Sequence, residues 1–245
     1  MRRIRDVFYI NANFEENYFV YYGMEFKEFI RYNPVNMENI LITDGDYIAN
    51  DFNNSWLLYT TRGKEELLEL SKEDIYNLGN FHWIDYDNES NLNNCTLEER
   101  AEVLYLSHFF KPLKSPFLSR INNNYFYLSH DDGWRCKLYC KDMLAFKDII
   151  ANKIIDSFAT NKRRKIYPIS ESIKNEILEL TKKGLLIDFS CIHKESDSIS
   201  VNFYAIGPYE NMDEMYNNLE RNKFRAEIKG YIEHKNKTWK IHMQN

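Results

Sequence analysis

Glycine and proline are scarce, at 8 and 5 in 245 residues. That excludes collagen-like, linker-rich and low-complexity chains. It also leaves little room for a phosphate-cradling loop. The sequence holds no such loop, no dinucleotide fingerprint, no nucleophile elbow and no zinc-protease pattern. No stretch reaches about 18 consecutive apolar residues, so no transmembrane helix is expected. The basic start Met1-Arg2-Arg3-Ile4-Arg5 runs into Val7-Phe8-Tyr9-Ile10. That apolar run is too short for a signal peptide and lacks a small-residue cleavage site. A cytoplasmic location follows as the expectation, and the four cysteines (Cys95, Cys136, Cys140, Cys191) are then expected to be reduced. Positive charge is not in excess either. The net charge of −5 argues against a general nucleic-acid binder.

Aromatic residues are abundant. They make up 16% of the chain, with 18 Tyr and 16 Phe. Hydrophobic residues at 44% and charged residues at 28% are ordinary for a globular protein, and the length suits one large domain or two small ones. Asn, Ile, Lys, Tyr and Phe are all plentiful, which points to a low-GC genome. Charge is uneven along the chain. Residues 162–245 hold 15 Lys/Arg against 12 Asp/Glu, a net +3, so the remainder of the −5 chain carries −8.

The last third is the most legible. Leu185, Ile187, Phe189 and Cys191 alternate with polar Asp188 and Ser190, and Ile199, Val201, Phe203 and Ala205 alternate likewise. This predicts an antiparallel hairpin with one wet face and Cys191 pointing inward. A second hairpin is expected over 225–233 and 239–244. Asn211 caps an expected helix between the hairpins, and another runs from Ser170 to Lys183-Gly184. Residues 166–245 thus read as an α-β-β-α-β-β unit with an antiparallel sheet.

The front is mixed. Strands are predicted at Val7–Phe14, Tyr18–Tyr22, Asn39–Thr43, Trp56–Thr61, Phe81–Tyr86, Tyr125–Ser129 and Trp134–Tyr139. Helices are predicted at Met24–Tyr32, from Ser71, from the capping box Thr96-Leu97-Glu98-Glu99, and over Asp142–Ala159 with Leu144 on its apolar stripe. The fold class is therefore α+β: a mixed aromatic-rich lobe over 1–161 and the α-β-β-α-β-β lobe over 166–245, separate or continuous. The basic run Lys162-Arg163-Arg164-Lys165 marks the division and reads as a solvated helix end rather than a phosphate site.

The chemistry-bearing residues gather in the front. His130-Asp131-Asp132-Gly133-Trp134-Arg135 combines metal-ligating and acid/base residue types, and its Asp-Gly is a hairpin-turn signal. The His130-Asp131 pair resembles that of metal-dependent phosphohydrolases. There the pair sits on a helix with further ligands, whereas here the flanks read as strands. In Phe81-His82-Trp83-Ile84-Asp85-Tyr86, His82 and Asp85 fall on opposite strand faces, while Trp83 and Asp85 share one. His108 follows Ala101, Leu104 and Tyr105 at helical spacing and reads as a core histidine. Convergence of His82, His108 and His130 would make a metal or acid/base site. Cys136 and Cys140, four apart on a strand, are about 13 Å apart and read as buried apolar residues rather than joint ligands.

Val7-Phe8-Tyr9-Ile10-Asn11-Ala12-Asn13-Phe14, Gly79-Asn80-Phe81-His82-Trp83-Ile84-Asp85 and His130-Asp131-Asp132-Gly133-Trp134 together resemble a group of uncharacterised proteins of low-GC Gram-positive bacteria. That group has no assigned activity, so the resemblance implies no site residue and no mechanism.

Two functional expectations result. The first is a non-enzymatic binding or regulatory protein whose aromatic-walled cleft (Trp83, Asp85, Trp134, Arg135) takes a small molecule or a protein, without cofactor. The second is a metal-dependent hydrolase using His130, Asp131 or Asp132 with His82 or His108. Oligomeric state is left open.

Overall fold

A computed structural model describes residues 6–35, 37–45, 51–73, 79–130, 135–159, 165–209, 214–215, 217–218 and 228–244. The chain is α+β and divides into two compact units. One takes residues 1–16, 20–24 and 144–245, and the other residues 17–19 and 25–143. The basic run expected to mark a boundary falls, apart from Lys165, outside the described residues.

In the first unit, β1 (Val7–Asn13) pairs antiparallel with β9 (Leu185–Asp188), with Phe8 opposite Ile187. The β9 strand pairs with β11 (Ser198–Ala205), then come β12 (Ile228–Lys235) and β13 (Thr238–Gln244), all antiparallel. The β2 strand (Tyr18–Tyr22) lies beside β1. The two-residue turn between β12 and β13 puts Asn236 and Lys237 at positive φ, as a tight hairpin requires. The expected helix–hairpin–hairpin order is present, and Glu214–Met215 are helical; Asn211 lies outside the described residues.

Two expectations here are corrected. The β9 strand has no wet face: all four of its residues are buried, and its two edges pair with β1 and β11. It also stops at Asp188. That carboxylate accepts bonds from the Ser190 N–H at 3.1 Å and its hydroxyl, turning Phe189–Cys191 into a 3-10 turn. Cys191 is therefore half-exposed on a turn rather than inward on a strand.

Helix α5 (Phe146–Phe158) begins later than its periodicity suggests, leaving Leu144 exposed before it. It is linked to α6 (Glu171–Thr181) by Lys174, which reaches Asp148 and Glu171, both at 2.6 Å. Buried Tyr9 ties the sheet to the loop after β11: its hydroxyl donates to Gly207 O and accepts from Tyr209 N, both at 2.9 Å.

The second unit has the strand order β8-β7-β6-β3-β5-β4: Arg135–Cys140, Tyr125–His130, Phe81–Tyr86, Asn39–Asp44, Leu58–Thr61 and Asp51–Asn53. The β6 strand is buried along its whole length. One face carries Phe81 and Trp83, and α1 (Phe26–Tyr32) lays Phe26 and Phe29 on it. The other face carries Ile84 and Tyr86. They pack with Leu92 of α3 (Glu89–Asn93) and with Val103 and Leu106 of α4 (Leu97–Phe109). The α4 capping box forms as its spacing predicts: Thr96 N donates to Glu99 Oε2 at 2.8 Å and Glu99 N to Thr96 Oγ1 at 3.2 Å. Ser71, expected to open a helix, instead closes α2 (Lys64–Leu70), its hydroxyl donating to Leu68 O at 2.8 Å. Cys136 and Cys140 are buried on β8 as small apolar side chains, and all four cysteines are free thiols.

Gly184 ends α6 at φ +68°, where an added Cβ would lie 2.0 Å from Gly207 O. Gly184→Ala is expected to lower stability by about 1–3 kcal/mol, because a left-handed conformation and a backbone clash act together. Urea unfolding of the two forms measures it.

Candidate functional site

Among the expected site residues, the structure brings His82 and His130 together. Their rings lie 5.1 Å apart between centroids with planes at 70°. They come from adjacent strands: His82 is opposite Leu128 on β7, and His130 lies two residues beyond, on the same face.

A third group arrives by a β-bulge. Ile42 pairs with Trp83, but it is Asp44, not Thr43, that stands opposite His82. The extra residue re-aims both side chains, as bulges beside functional corners do. Thr43 turns to Ser107 of α4, accepting its hydroxyl proton at 3.0 Å. Asp44 turns to His82, with Oδ2 3.4 Å from Nδ1, and is also held by Asn80 Nδ2 at 3.3 Å.

These contacts converge on one ring nitrogen of His82. Its Nδ1 is 3.2 Å from Ser107 Oγ, whose own proton is committed to Thr43. The Asp44 carboxylate addresses the same nitrogen, so Nδ1 faces both a hydroxyl and a carboxylate. Serine, histidine and aspartate meet here but do not form a hydrolase triad. A triad needs serine and carboxylate on opposite imidazole nitrogens, and here both address Nδ1.

The corner is closed by Phe110, which takes the left-handed conformation (φ 59°) that ends α4 before Pro112. Its ring packs edge-on against His82 at 5.5 Å and His130 at 4.3 Å. Its carbonyl accepts from Lys137 Nζ at 2.8 Å and Tyr139 Oη at 2.9 Å.

Both histidines are held neutral. Burial lowers the pKa of His82, opposed by the Asp44 charge and by hydrogen bonds to the backbone at Ser129 and Ser107. Burial, then His82, Arg135 and Lys137, push His130 down to about 4, with Asp44 opposing.

The remaining expected residues lie elsewhere. His108 is not a core residue: it is exposed at the end of α4, because the buried stripe there runs through Val103, Leu106 and Ser107. Trp83 is fully buried and stacks on Tyr127 at 4.9 Å and 10°, so it fills a core rather than walling a cleft. Asp131, Asp132 and Trp134 lie outside the described residues. Arg135 is half-buried opposite His130.

Asp85 lines a polar cleft of about 310 Å³ with Glu38, Asn39, Asp87, Asn122 and Asn124. Its oxygens are already taken by Asn124 N (3.0 Å), Asn124 Nδ2 (3.1 Å) and Tyr125 N (2.6 Å). Burial raises its pKa to about 6 against these bonds. It fixes the start of β7 and is structural. A second cleft of about 360 Å³ lies beside α1 and α2. It is lined by Ile30, Arg31, Asn33, Pro34, Val35, Met37, Lys64, Leu67 and Leu68. Sequence reasoning missed it, since α2 was not expected.

Among the described residues no group of three His, Cys, Asp or Glu is placed to hold a metal ion. No family model, no curated protein and no solved structure matches the chain.

Two outcomes test this description. Asp85→Ala leaves one buried and two half-buried N–H donors without an acceptor and is expected to cost about 2–4 kcal/mol in chemical unfolding. His130 binds its proton later in the fold than in the unfolded chain. Its contribution is thus intact above pH 6.5 and is lost as pH falls towards 4. Asp85 acts oppositely, its raised pKa favouring the fold as pH falls below 6. The difference between the wild type and His130→Gln isolates the histidine. It is expected to shrink by roughly 1–3 kcal/mol between pH 7 and pH 4.

Proposed function

We propose that the protein is a non-enzymatic, cytoplasmic binding module for a small molecule with an apolar body and an anionic end. The binding place is the cleft beside α1 and α2, not the aromatic wall first expected. The observation that carries this reading is the composition of that cleft. Two cationic side chains, Arg31 and Lys64, flank apolar Ile30, Val35, Leu67 and Leu68 around about 360 Å³. That volume suits a small ligand, and a few polar groups over an apolar floor are what orient one. A guanidinium beside an ammonium favours a carboxylate, sulfonate or phosphate.

The aromatic residues support this reading indirectly. Trp83, Tyr127, Phe26 and Phe29 pack on one another, so their abundance is used in the core and not on a recognition surface. The four free thiols fit a reducing compartment. No described helix is long and apolar enough to cross a membrane, which leaves a small solute as the favoured partner over a bilayer.

The test uses the anionic fluorophore anilinonaphthalene sulfonate. Saturable fluorescence enhancement is expected with the native protein. It should fall about tenfold or more in affinity in Arg31→Glu/Lys64→Glu, both exposed positions, with circular dichroism confirming that the double variant is folded. Saturable binding that ignores the double substitution would move the ligand elsewhere, and no saturable binding would remove the cleft reading.

A further inference from the structure

We propose that the outward face of α4 joins a second copy of this chain, the two helices lying antiparallel across a two-fold axis. This surface shares no residue with the ligand cleft and does not depend on it. Three features of α4 lead to it.

The first is that α4 is apolar on two sides. Its inner side, with Val103, Leu106 and Ser107, is buried. A surface helix normally turns charged and polar residues outward on the opposite side. Here that side carries Leu97, Ala101, Leu104 and His108, all exposed, with Leu97 at 80%. Tyr105 and Phe109 flank the row as a stacked pair 4.5 Å apart. Single exposed apolar side chains are ordinary, but a continuous row of them marks an interaction surface. The second is spacing. From Leu97 the row advances by four, three and four residues to Ala101, Leu104 and His108. That is the seam along which one helix packs on another. A second α4 carries the same seam. Turned antiparallel about the point between Ala101 and Leu104, it sets small Ala101 against the partner's Leu104, and Leu97 against the partner's His108. Large side chains facing small ones let such a layer interdigitate.

The third is charge, and it selects a second copy over an unrelated partner. The first turn of α4 carries Glu98 and Glu99, the last turn carries His108, and Lys111 follows. Antiparallel copies lay the acidic end of each helix against the basic end of the other, and their opposed dipoles agree with that order. Parallel copies would set like ends together. The surface is thus complementary to itself, as a two-fold interface must be. Glu99 is engaged by Arg120 at 2.8 Å, and Glu102 by Lys114 at 2.8 Å. Glu98 and Lys111, both exposed, are the pair that faces across the seam. The helix has 13 residues and is about 20 Å long, so the contact is small and the dimer reversible.

The experiment is sedimentation equilibrium of the tag-free full chain over a series of concentrations. A reversible monomer–dimer equilibrium is expected. Ala101→Glu and Leu104→Glu should each weaken association about tenfold or more, because each buries an unpaired carboxylate in the seam. Met243→Glu, exposed on the edge strand β13, should leave it unchanged. Lys111→Glu alone should weaken the dimer, and adding Glu98→Lys should restore it, since the two signs are then exchanged across the seam. Circular dichroism of each variant separates loss of association from loss of the fold. The proposal is overturned if the native chain stays monomeric throughout the series, if the dimer survives both Ala101→Glu and Leu104→Glu in folded protein, or if Met243→Glu abolishes it. Failure of Glu98→Lys to rescue Lys111→Glu would also overturn it, because the helices would then not run antiparallel.

Discussion

A strand that is dry on both faces governs the second unit. The β6 strand presents Phe81 and Trp83 to α1, and Ile84 and Tyr86 to the layer under α4, with no face left for water. Two of its polar side chains, Asp85 and His82, organise their surroundings. Asp85 gathers the backbone N–H groups of Asn124 and Tyr125 and so sets where β7 begins. His82 draws in Ser107 from α4 and Asp44 from β3, and the β3 ladder carries a bulge to deliver the carboxylate. Thus the register of β7 and the irregularity of β3 both trace to β6.

Much of the secondary structure was legible in the sequence because local chemistry decides it. The Thr96 capping box, the alternation of β11 and β12, and the aromatic hairpin of β7 and β8 all form where their patterns place them. What was illegible depends on partners distant in sequence. Leu185–Asp188 alternates like a half-wet strand, yet all four of its residues are buried once the chain is folded. Helix α2 was hidden because Gly63, a weak cap, opens it while Ser71, a strong one, sits at its end. Trp83 suggests a ligand wall from its type, and only the positions of Phe26, Phe29 and Tyr127 show that it is core.

The candidate sites were partly visible. His82 and His130 stood out by residue type, but nothing in their spacing shows that they lie on neighbouring strands. Asp44 left no signal at all, since its role rests on one extra residue in β3. A Thr-Asp-Gly sequence at a strand end is compatible with a bulge and with an ordinary turn alike. The clefted surface by α1 and α2 needs two helices to exist before its cations mean anything.

The position of β1 bears on how the chain is made. Its apolar residues Val7, Phe8, Tyr9 and Ile10 leave the ribosome early, but their partners on β9 are synthesised far later. Residues 25–143, by contrast, contain the strand partners of β3 to β7. A nascent chain can therefore pair those strands while β1 is still waiting for β9. For that interval an aromatic, apolar strand has one edge without its β9 partner, open to pairing with another chain.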